Sequence, residues 1–245
     1  MSWTGGYVSD TPYPPFFYKE MQPIWLATVA RFEGMAAPDL RRPFALCELG
    51  CGQGVNLLVA AACHPQARFV GVDFDPTHLD AARGAAAASG INNVEFIQAD
   101  FASFASRNQE RFDLVTCHGV WSWIAPEERA RLLGVAAQGL TSGGLLYLHY
   151  MCHPGSTELV PLQHLLNLAA HHMPGTSVRK ARTGMLLLDQ MVEHGAFADR
   201  PGLRRHLVDQ VDRVPDLVRR RAQRRHRAQA ALGVGDRDPG EVGEP

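Results

Sequence analysis

The feature that most constrains this chain is a short apolar run, Phe44 to Leu49, that leads into three alternate glycines. These are Gly50, Gly52 and Gly54, and an apolar helical pattern from Val55 to Ala62 follows them. Glycine permits a positive φ and brings bare backbone close to a ligand, and the first turn of a helix offers unpaired N–H groups. The stretch therefore predicts a buried strand, a tight turn and a helix start on which a small molecule binds.

The spacing excludes two common phosphate-binding patterns. The dinucleotide pattern G-x-G-x-x-G would need a glycine where this chain has Val55. The P-loop pattern G-x-x-x-x-G-K-[ST] does not occur in the sequence. What remains is an acid, Glu48, followed by glycine at alternate positions.

Two further acids follow apolar runs of the same kind. Phe69 to Asp73 predicts a second buried strand that ends in a carboxylate, and Val94 to Asp100 predicts a third. A carboxylate at the tip of the second strand can accept hydrogen bonds from both hydroxyls of a ribose. Each acid alone could equally be a turn former or a helix cap. Three acids after three successive strands favour a binding site over that alternative.

Strand and helix patterns alternate through the middle of the chain. The predicted strands are 44–49, 69–73, 94–99, 112–117 and 144–150, and the predicted helices between them are 55–63, 76–89 and 125–139. This alternation predicts an α/β fold in which helices cover both faces of a mostly parallel sheet. Ligands bind such sheets beyond the carboxyl ends of the strands, where Glu48, Asp73 and Asp100 all fall.

The turn after the fourth predicted strand carries a histidine and two tryptophans, an unusual set for such a turn. His118 could act as a general base or orient an amine, and Trp121 and Trp123 could form a wall that attracts a cationic or apolar acceptor. They could instead be a structural histidine and core tryptophans. Tyr13 and Tyr18, in the segment before the sheet, could line the same acceptor pocket or pin that segment onto the domain.

Changes in composition predict four segments along the chain. They are an N-terminal arm and helix (1–42), a ligand-binding core (43–155), C-terminal helices (156–200) and a basic, poorly ordered tail (201–245). The tail is rich in arginine and has almost no apolar residues towards its end.

Composition also limits the partners and the compartment. With 245 residues, 46% of them hydrophobic, the chain can bury a full core, and its formal net charge of −1 recruits neither nucleic acid nor an anionic membrane. Its five cysteines have no paired spacing, and no signal peptide or membrane-spanning run is found, so we expect a cytoplasmic protein with reduced thiols. We expect no metal, since His149, Cys152 and His153 lack a second ligand pair at zinc spacing.

The acid-x-Gly-x-Gly-x-Gly pattern resembles motif I of the class I S-adenosylmethionine (SAM) methyltransferases, which implies a Rossmann-like class I methyltransferase fold. A narrower resemblance covers roughly Tyr7 to His172, and its most specific part is His118 to Trp123. There the chain is similar to bacterial methyltransferases with a methyltransferase regulatory domain, including the rickettsial-type protein lysine methyltransferases. Compared with that group, we expect this chain to be truncated or divergent at its C-terminus.

The resemblance implies SAM as the cofactor and assigns roles to the acids. Glu48 would hold the glycine turn or the SAM amino group, and Asp100 would bind the adenine amino group. The expected cofactor-binding residues are Glu48, Gly50, Cys51, Gly52, Asp73, Phe74, Asp100, Phe101 and His118. His118 would also be the catalytic residue, beside an acceptor pocket of Tyr13, Tyr18, Trp121 and Trp123.

Three functions are compatible with the sequence. The first is a SAM-dependent methyltransferase that acts on a protein lysine or another amine. The second is a methyltransferase acting on a small molecule, and the third is a SAM-binding regulatory protein without turnover. We expect the partner to be the acceptor substrate, protein or small molecule, and expect neither a nucleic acid nor a membrane.

Overall fold

The structure is a computed structural model, and it describes residues 15–212. The chain separates into two compact units, residues 1–156 and residues 157–245. Tyr13 and the part of the predicted tail that follows Asp212 lie outside the described residues.

The first unit is built on a single sheet. Its strands are β1 (Ala45–Leu49), β2 (Arg68–Asp73), β3 (Val94–Gln98), β4 (Phe112–His118) and β5 (Leu140–His149). All four neighbouring pairs are parallel, in the order β3-β2-β1-β4-β5, which confirms the predicted α/β fold. The direction of the strand order reverses beside β1, and ligands of open α/β sheets bind beyond the carboxyl ends of the strands at such a switch point.

Helices cover both faces of this sheet. They are α1 (Pro23–Phe32), α2 (Val55–Cys63), α3 (Pro76–Ala88), α4 (Phe101–Arg107) and α5 (Pro126–Gly139), with 3₁₀ turns at Lys19–Met21 and Trp121–Trp123. Because successive strand residues point to opposite faces, each strand contributes to two cores. Leu46 and Phe69 pack in the core that contains α2 and α3, whereas Cys47 and Val70 pack in the core that contains α4 and α5.

Two elements of this unit differ from the sequence prediction. The helix α4 was not predicted, because its seven residues are too short for a helical period to stand out. Its start is marked by Asp100, whose Oδ1 accepts a hydrogen bond from the N–H of Ser103 at 2.7 Å. Strand β5 begins at Leu140 rather than at residue 144, and it pairs with β4 through a register irregularity that accommodates Gly143.

The second unit consists of helices. They are α6 (Val160–His171), α7 (Ser177–Glu193) and α8 (Pro201–Asp212). Their common core is formed by Leu162, Leu188, Val192, Leu203 and Leu207. Helix α7 begins at Ser177, with Thr176 as its N-cap. Helix α8 lies in the segment that was predicted to be a poorly ordered tail. The side chains of Leu203 and Leu207 on this helix are buried.

A membrane-spanning helix would need about 20 mostly apolar residues. Along residues 15–212, none of the helices combines that length with sufficient hydropathy.

The side-chain amide of Asn93 connects the start of β3 with the segment that leads from α2 into β2. The Nδ2 of Asn93 lies within 3.0–3.1 Å of three backbone carbonyl oxygens, those of Ala61, His64 and Ala67. These carbonyls belong to the last turn of α2 and to the connection that leads into β2, and that of His64 also accepts the N–H of Ala67 at 3.0 Å. Asn93 therefore joins the start of β3 to the connection between α2 and β2.

We expect Asn93→Ala to lower the free energy of unfolding of the first unit by about 1–3 kcal/mol, because three carbonyl oxygens lose the hydrogen bond from its amide. The matched control is Asn92→Ala, which removes the same group from the exposed neighbouring position. Urea unfolding followed by circular dichroism measures the difference. Equal stability of the two variants would contradict this role for Asn93.

Candidate active site

The turn between β1 and α2 is held by backbone bonds and by one carboxylate. The N–H groups of Gly50 and Cys51 donate to the carbonyl oxygen of Val72 at 2.8 and 3.1 Å. The N–H of Gly52 donates to Oδ2 of Asp73 at 2.8 Å. The end of β2 therefore shapes the glycine turn. Asp73, which was predicted to bind a ribose, also fixes the conformation of this turn.

Two of the alternate glycines are required by close neighbours. Gly50 has φ +75°, and a Cβ atom there would lie 2.4 Å from the side chain of Val120, in the turn after β4. Gly54 has φ +71°, and its Cβ would lie 2.6 Å from the ring of Phe96. Larger residues would therefore meet both backbone strain and a clash at these positions.

A cavity lies at the carboxyl ends of the strands in this unit. Its empty volume, including the open mouth, is about 1030 Å³. The predicted residues that line it are Glu48, Gly50, Cys51, Gly52, Asp73, Phe74, Asp100, Phe101, His118 and Tyr18. Lining residues that the sequence did not single out include Asn56, His78, Val120 and Glu128.

The two tryptophans of the predicted acceptor pocket are not among the residues that line the cavity. They belong to the 3₁₀ turn after β4, where Val120 faces the cavity instead. Trp121 packs against the core beneath α5, with the guanidinium of Arg129 5.6 Å from its ring centroid. Trp123 is 53% exposed. The remaining predicted pocket residue, Tyr13, lies outside the described residues.

Glu48 is a deeply buried acid of the site, 4% exposed. Burial, and then the charge of Asp73, raise the pKa of the Glu48 carboxyl to about 8. On the other side of Asp73, the Nδ1 of His78 lies 3.7 Å from Oδ1, and this interaction raises the pKa of the histidine. A cationic ligand group beside Glu48 would favour the ionised carboxylate, because an opposite charge stabilises it.

The ring of His118 is held on both faces and at one edge. Tyr18 stacks on one face with a centroid distance of 3.7 Å, and His149 stacks on the other at 4.0 Å. Nδ1 lies 3.1 Å from the hydroxyl oxygen of Tyr147. Burial, and then the neighbouring His149, lower the pKa of His118 to about 4, so the imidazole is neutral at neutral pH.

Two of these contacts come from β5, which the sequence analysis did not connect with the site. His118 pairs with His149 in the parallel ladder, and Tyr147 pairs with Thr116. Alternate residues of a strand share a face, so Tyr147 and His149 lie on the same side as His118. Alignment of the ends of the fourth and fifth predicted strands could have found both.

The position of Tyr18 depends on Asn56, in the first turn of α2. The Oδ1 of Asn56 accepts a hydrogen bond from the N–H of Tyr18 at 2.7 Å, and its carbonyl oxygen accepts one from Nε2 of Gln22 at 3.2 Å. These bonds fasten the segment before α1 to the helix after the glycine turn. Asn56 is therefore a further residue of the site. In the sequence, the only indication of this role is its position directly after the glycine motif.

Along residues 15–212, no group of three or more histidine, cysteine, aspartate or glutamate side chains has a geometry that could hold a metal ion. The five cysteines are unpaired.

Comparison with known proteins gives the family of this site. Residues 46–144 match a family described as a methyltransferase domain. The structure of PKMT2 from Rickettsia typhi in complex with AdoHcy has a TM-score of 0.64 and 27% identity, covering 75% of this chain and 34% of that one. The protein sll1526 of Synechocystis sp. is 32% identical over 209 residues, which are 84% of this chain and 41% of that protein.

The chain therefore contains a class I SAM-dependent methyltransferase domain, and the predicted fold, class and cofactor are confirmed. The rickettsial relationship is also present in sequence, since the protein RP028 of Rickettsia prowazekii is 31% identical over 146 residues, 60% of this chain and 58% of that protein. The chain spans less than two thirds of the length of these relatives.

We expect the ligand-free protein to lose stability as the pH rises from about 5 to about 9. The pKa of Glu48 is about 8 in the folded protein and near 4.5 when exposed, so the folded state keeps a proton that the unfolded state releases. This contribution is complete below pH 4.5 and lost as the pH rises through 8. The loss amounts to at most about 5 kcal/mol, from 1.36 kcal/mol per pKa unit.

Urea unfolding across this pH range, on wild type and on Glu48→Gln, isolates the effect of the carboxyl. The glutamine variant should lack the loss, whereas Glu127→Gln, at an exposed position, should retain it. Parallel pH profiles for wild type and Glu48→Gln would contradict the raised pKa.

Proposed function

We propose that this chain transfers a methyl group from SAM to an amine, with a lysine side chain of a protein as the first candidate. The observation that carries the choice of an amine is the aromatic, uncharged surface that Phe16, Tyr18 and His118 present to the cavity, because π surfaces attract the positive charge of a methylated ammonium. Among the described residues that line the cavity there are four acids and neither lysine nor arginine: Glu48, Asp73, Asp100 and Glu128. The acids suit the cationic cofactor, and an anionic acceptor would find no lysine or arginine to bind it.

The residues at the glycine turn fit the cofactor. Glu48 offers a buried carboxyl for an ammonium group, whose charge would favour the ionised form. Asp73 accepts the N–H of Gly52 through Oδ2 and the N–H of Asp75 through Oδ1 at 2.9 Å. Each carboxylate oxygen can accept a second hydrogen bond, so Asp73 can hold ribose hydroxyls without releasing the turn.

Aromatic and uncharged side chains also line the cavity. They are those of Phe16, Tyr18 and His118. When bound, SAM supplies an electrophilic methyl group on a cationic sulfur. Transfer of this methyl group leaves the sulfur as a neutral thioether and converts the neutral amine into a methylated ammonium. The rings around His118 offer π surfaces to positive charge, and a neutral imidazole avoids the repulsion that a protonated one would cause.

His118 is the residue that we assign to the acceptor. Both faces of its ring and Nδ1 are engaged by Tyr18, His149 and Tyr147, which leaves Nε2 as the remaining polar atom. A ring fixed in this way can orient an attacking nitrogen without losing rotational freedom at the moment of reaction. The positioning of the nucleophile, rather than proton removal from an ammonium, is the role that a pKa of about 4 supports.

The cytoplasm is the compartment that we propose, because all five cysteines are unpaired and reduced thiols are typical there.

We expect His118→Ala to reduce the rate of methyl transfer by about 100-fold, the loss that a misplacement of the reacting groups by about 1 Å can cause. Its affinity for SAM should stay within about twofold, because Glu48 and Asp73 hold the cofactor in this proposal. Single-turnover rates and calorimetric titration measure the two quantities. The control is His172→Ala, at an exposed position in the second unit. Unchanged turnover in His118→Ala would remove His118 from the reaction.

The acceptor class is tested by incubating the purified protein with methyl-labelled SAM and a host lysate. We expect label in polypeptides, recovered as methyl-lysine after hydrolysis, and no label with an Asp73→Ala variant. Label only in small molecules would replace the polypeptide acceptor with a small one. Binding of SAM without any transferred label would instead indicate a regulatory protein without turnover.

A further inference from the structure

Thr116 in β4 carries a buried hydroxyl that the steps described above do not use. The residue is 1% exposed, and its Oγ1 forms no hydrogen bond within the described range 15–212. A buried polar atom without a partner costs stability, whereas a valine of nearly the same shape would not. Its neighbours on the strand, Leu114, Val115 and Cys117, are apolar and buried. Packing therefore does not explain the hydroxyl, which points to a state of the site in which it has a partner.

The register of the sheet places Thr116 beside Glu48. Glu48 pairs with Thr116 of β4 on one side and with Gly71 of β2 on the other. Register partners on neighbouring strands point to the same face of a sheet. Leu46 and Leu114, two residues earlier on the same two strands, accordingly pack in one core. Because glycine has no side chain, Thr116 is the one of these two lateral neighbours whose side chain can donate to Glu48.

The ionised form of Glu48 needs hydrogen-bond donors. Burial, and then the charge of Asp73, raise the pKa of Glu48 to about 8, so the carboxyl of the ligand-free protein is mainly protonated at neutral pH. A ligand ammonium favours the carboxylate, and a buried carboxylate also requires donors for its remaining lone pairs. Hydrogen bonds to an ionised acceptor are about twice as strong as those between neutral groups. The hydroxyl of Thr116 therefore gains most from Glu48 once a ligand has ionised it.

We propose that Thr116 is a positioning residue for the cofactor, whose hydroxyl donates to the carboxylate of Glu48 when that carboxylate holds the ammonium group of SAM. The inference rests on the proposed function, because it requires this ammonium group at Glu48. Thr116 is not among the residues that line the cavity, so it acts through Glu48 and does not touch the cofactor. The same hydroxyl lowers the stability of the free protein and raises the affinity of the complex.

The experiment removes the hydroxyl and measures affinity and stability separately. Thr116→Val keeps the shape of the side chain, and Thr116→Ser keeps the hydroxyl. In calorimetric titration, Thr116→Val should bind S-adenosylhomocysteine about tenfold more weakly than wild type, the loss expected for a hydrogen bond to a charged group. Thr116→Ser should recover most of this affinity. The urea midpoint of ligand-free Thr116→Val should equal or exceed that of wild type, since an unpaired buried hydroxyl is removed.

A second ligand separates the loss of this hydrogen bond from general damage to the site. 5′-Methylthioadenosine shares the nucleoside and the sulfur of S-adenosylhomocysteine but has no ammonium group. Thr116→Val should leave its affinity within about twofold of wild type, because no charge of the ligand then ionises Glu48. The control is Thr28→Val, at an exposed position on α1, which should change neither affinity nor stability.

The outcomes distinguish this proposal from the proposed function. Unchanged affinity of folded Thr116→Val for S-adenosylhomocysteine, or equal weakening of both ligands, would overturn the role of Thr116 and leave the methyltransferase function intact. Failure of folded wild type to bind S-adenosylhomocysteine would overturn both. If Thr116→Val does not fold, Thr116→Ser and Thr116→Ala form a pair that differs by the same hydroxyl, and the same comparison of the two ligands applies to them.

Discussion

The carboxylate of Asp73 holds together the two loops on which the cofactor site depends. It binds the N–H of Gly52 in the turn after β1 and the N–H of Asp75 at the start of α3, and His78 approaches it from the same helix. A charged acceptor that satisfies backbone donors fixes their directions more strongly than a neutral one. Burial, and then the charge of this same group, raise the pKa of Glu48 to about 8. Asp73 therefore contributes to both the shape and the charge of the site.

Much of this site could be predicted from the sequence because its parts are local. A strand that ends in an acid, a glycine turn and a helix start follow one another directly, and the predicted helix 55–63 agrees with α2 (Val55–Cys63). The acids at the ends of β1, β2 and β3 converge because parallel strands present their carboxyl ends at one edge of the sheet. Helix α4 was not predicted because it is too short to show a helical repeat of apolar residues. The sequence signal of its start was the N-cap residue Asp100.

The acceptor end could not be predicted in the same way, because it is assembled from distant parts of the chain. Tyr18 stacks on His118 with its backbone N–H bonded to Asn56, and Tyr147 and His149 reach His118 through the register of β5 on β4. Single-sequence patterns carry no information on such pairings. Aromatic side chains occur both in protein cores and in binding pockets. The sequence therefore does not indicate whether Trp121 and Trp123 belong to the core or to the acceptor pocket.

The contact between Gly50 and Val120 links the two ends of the cavity by shape alone. One belongs to the turn that faces the cofactor and the other to the turn that leads from His118, and there is no room for a Cβ between them. The acceptor turn cannot sink further towards the sheet, and the glycine turn cannot rise, without the other giving way. During divergence, a bulkier side chain in the acceptor turn at this point would have to displace the cofactor turn with it. A change of substrate in this domain is therefore easier through the segment around Tyr18 than through the backbone of the turn after β4.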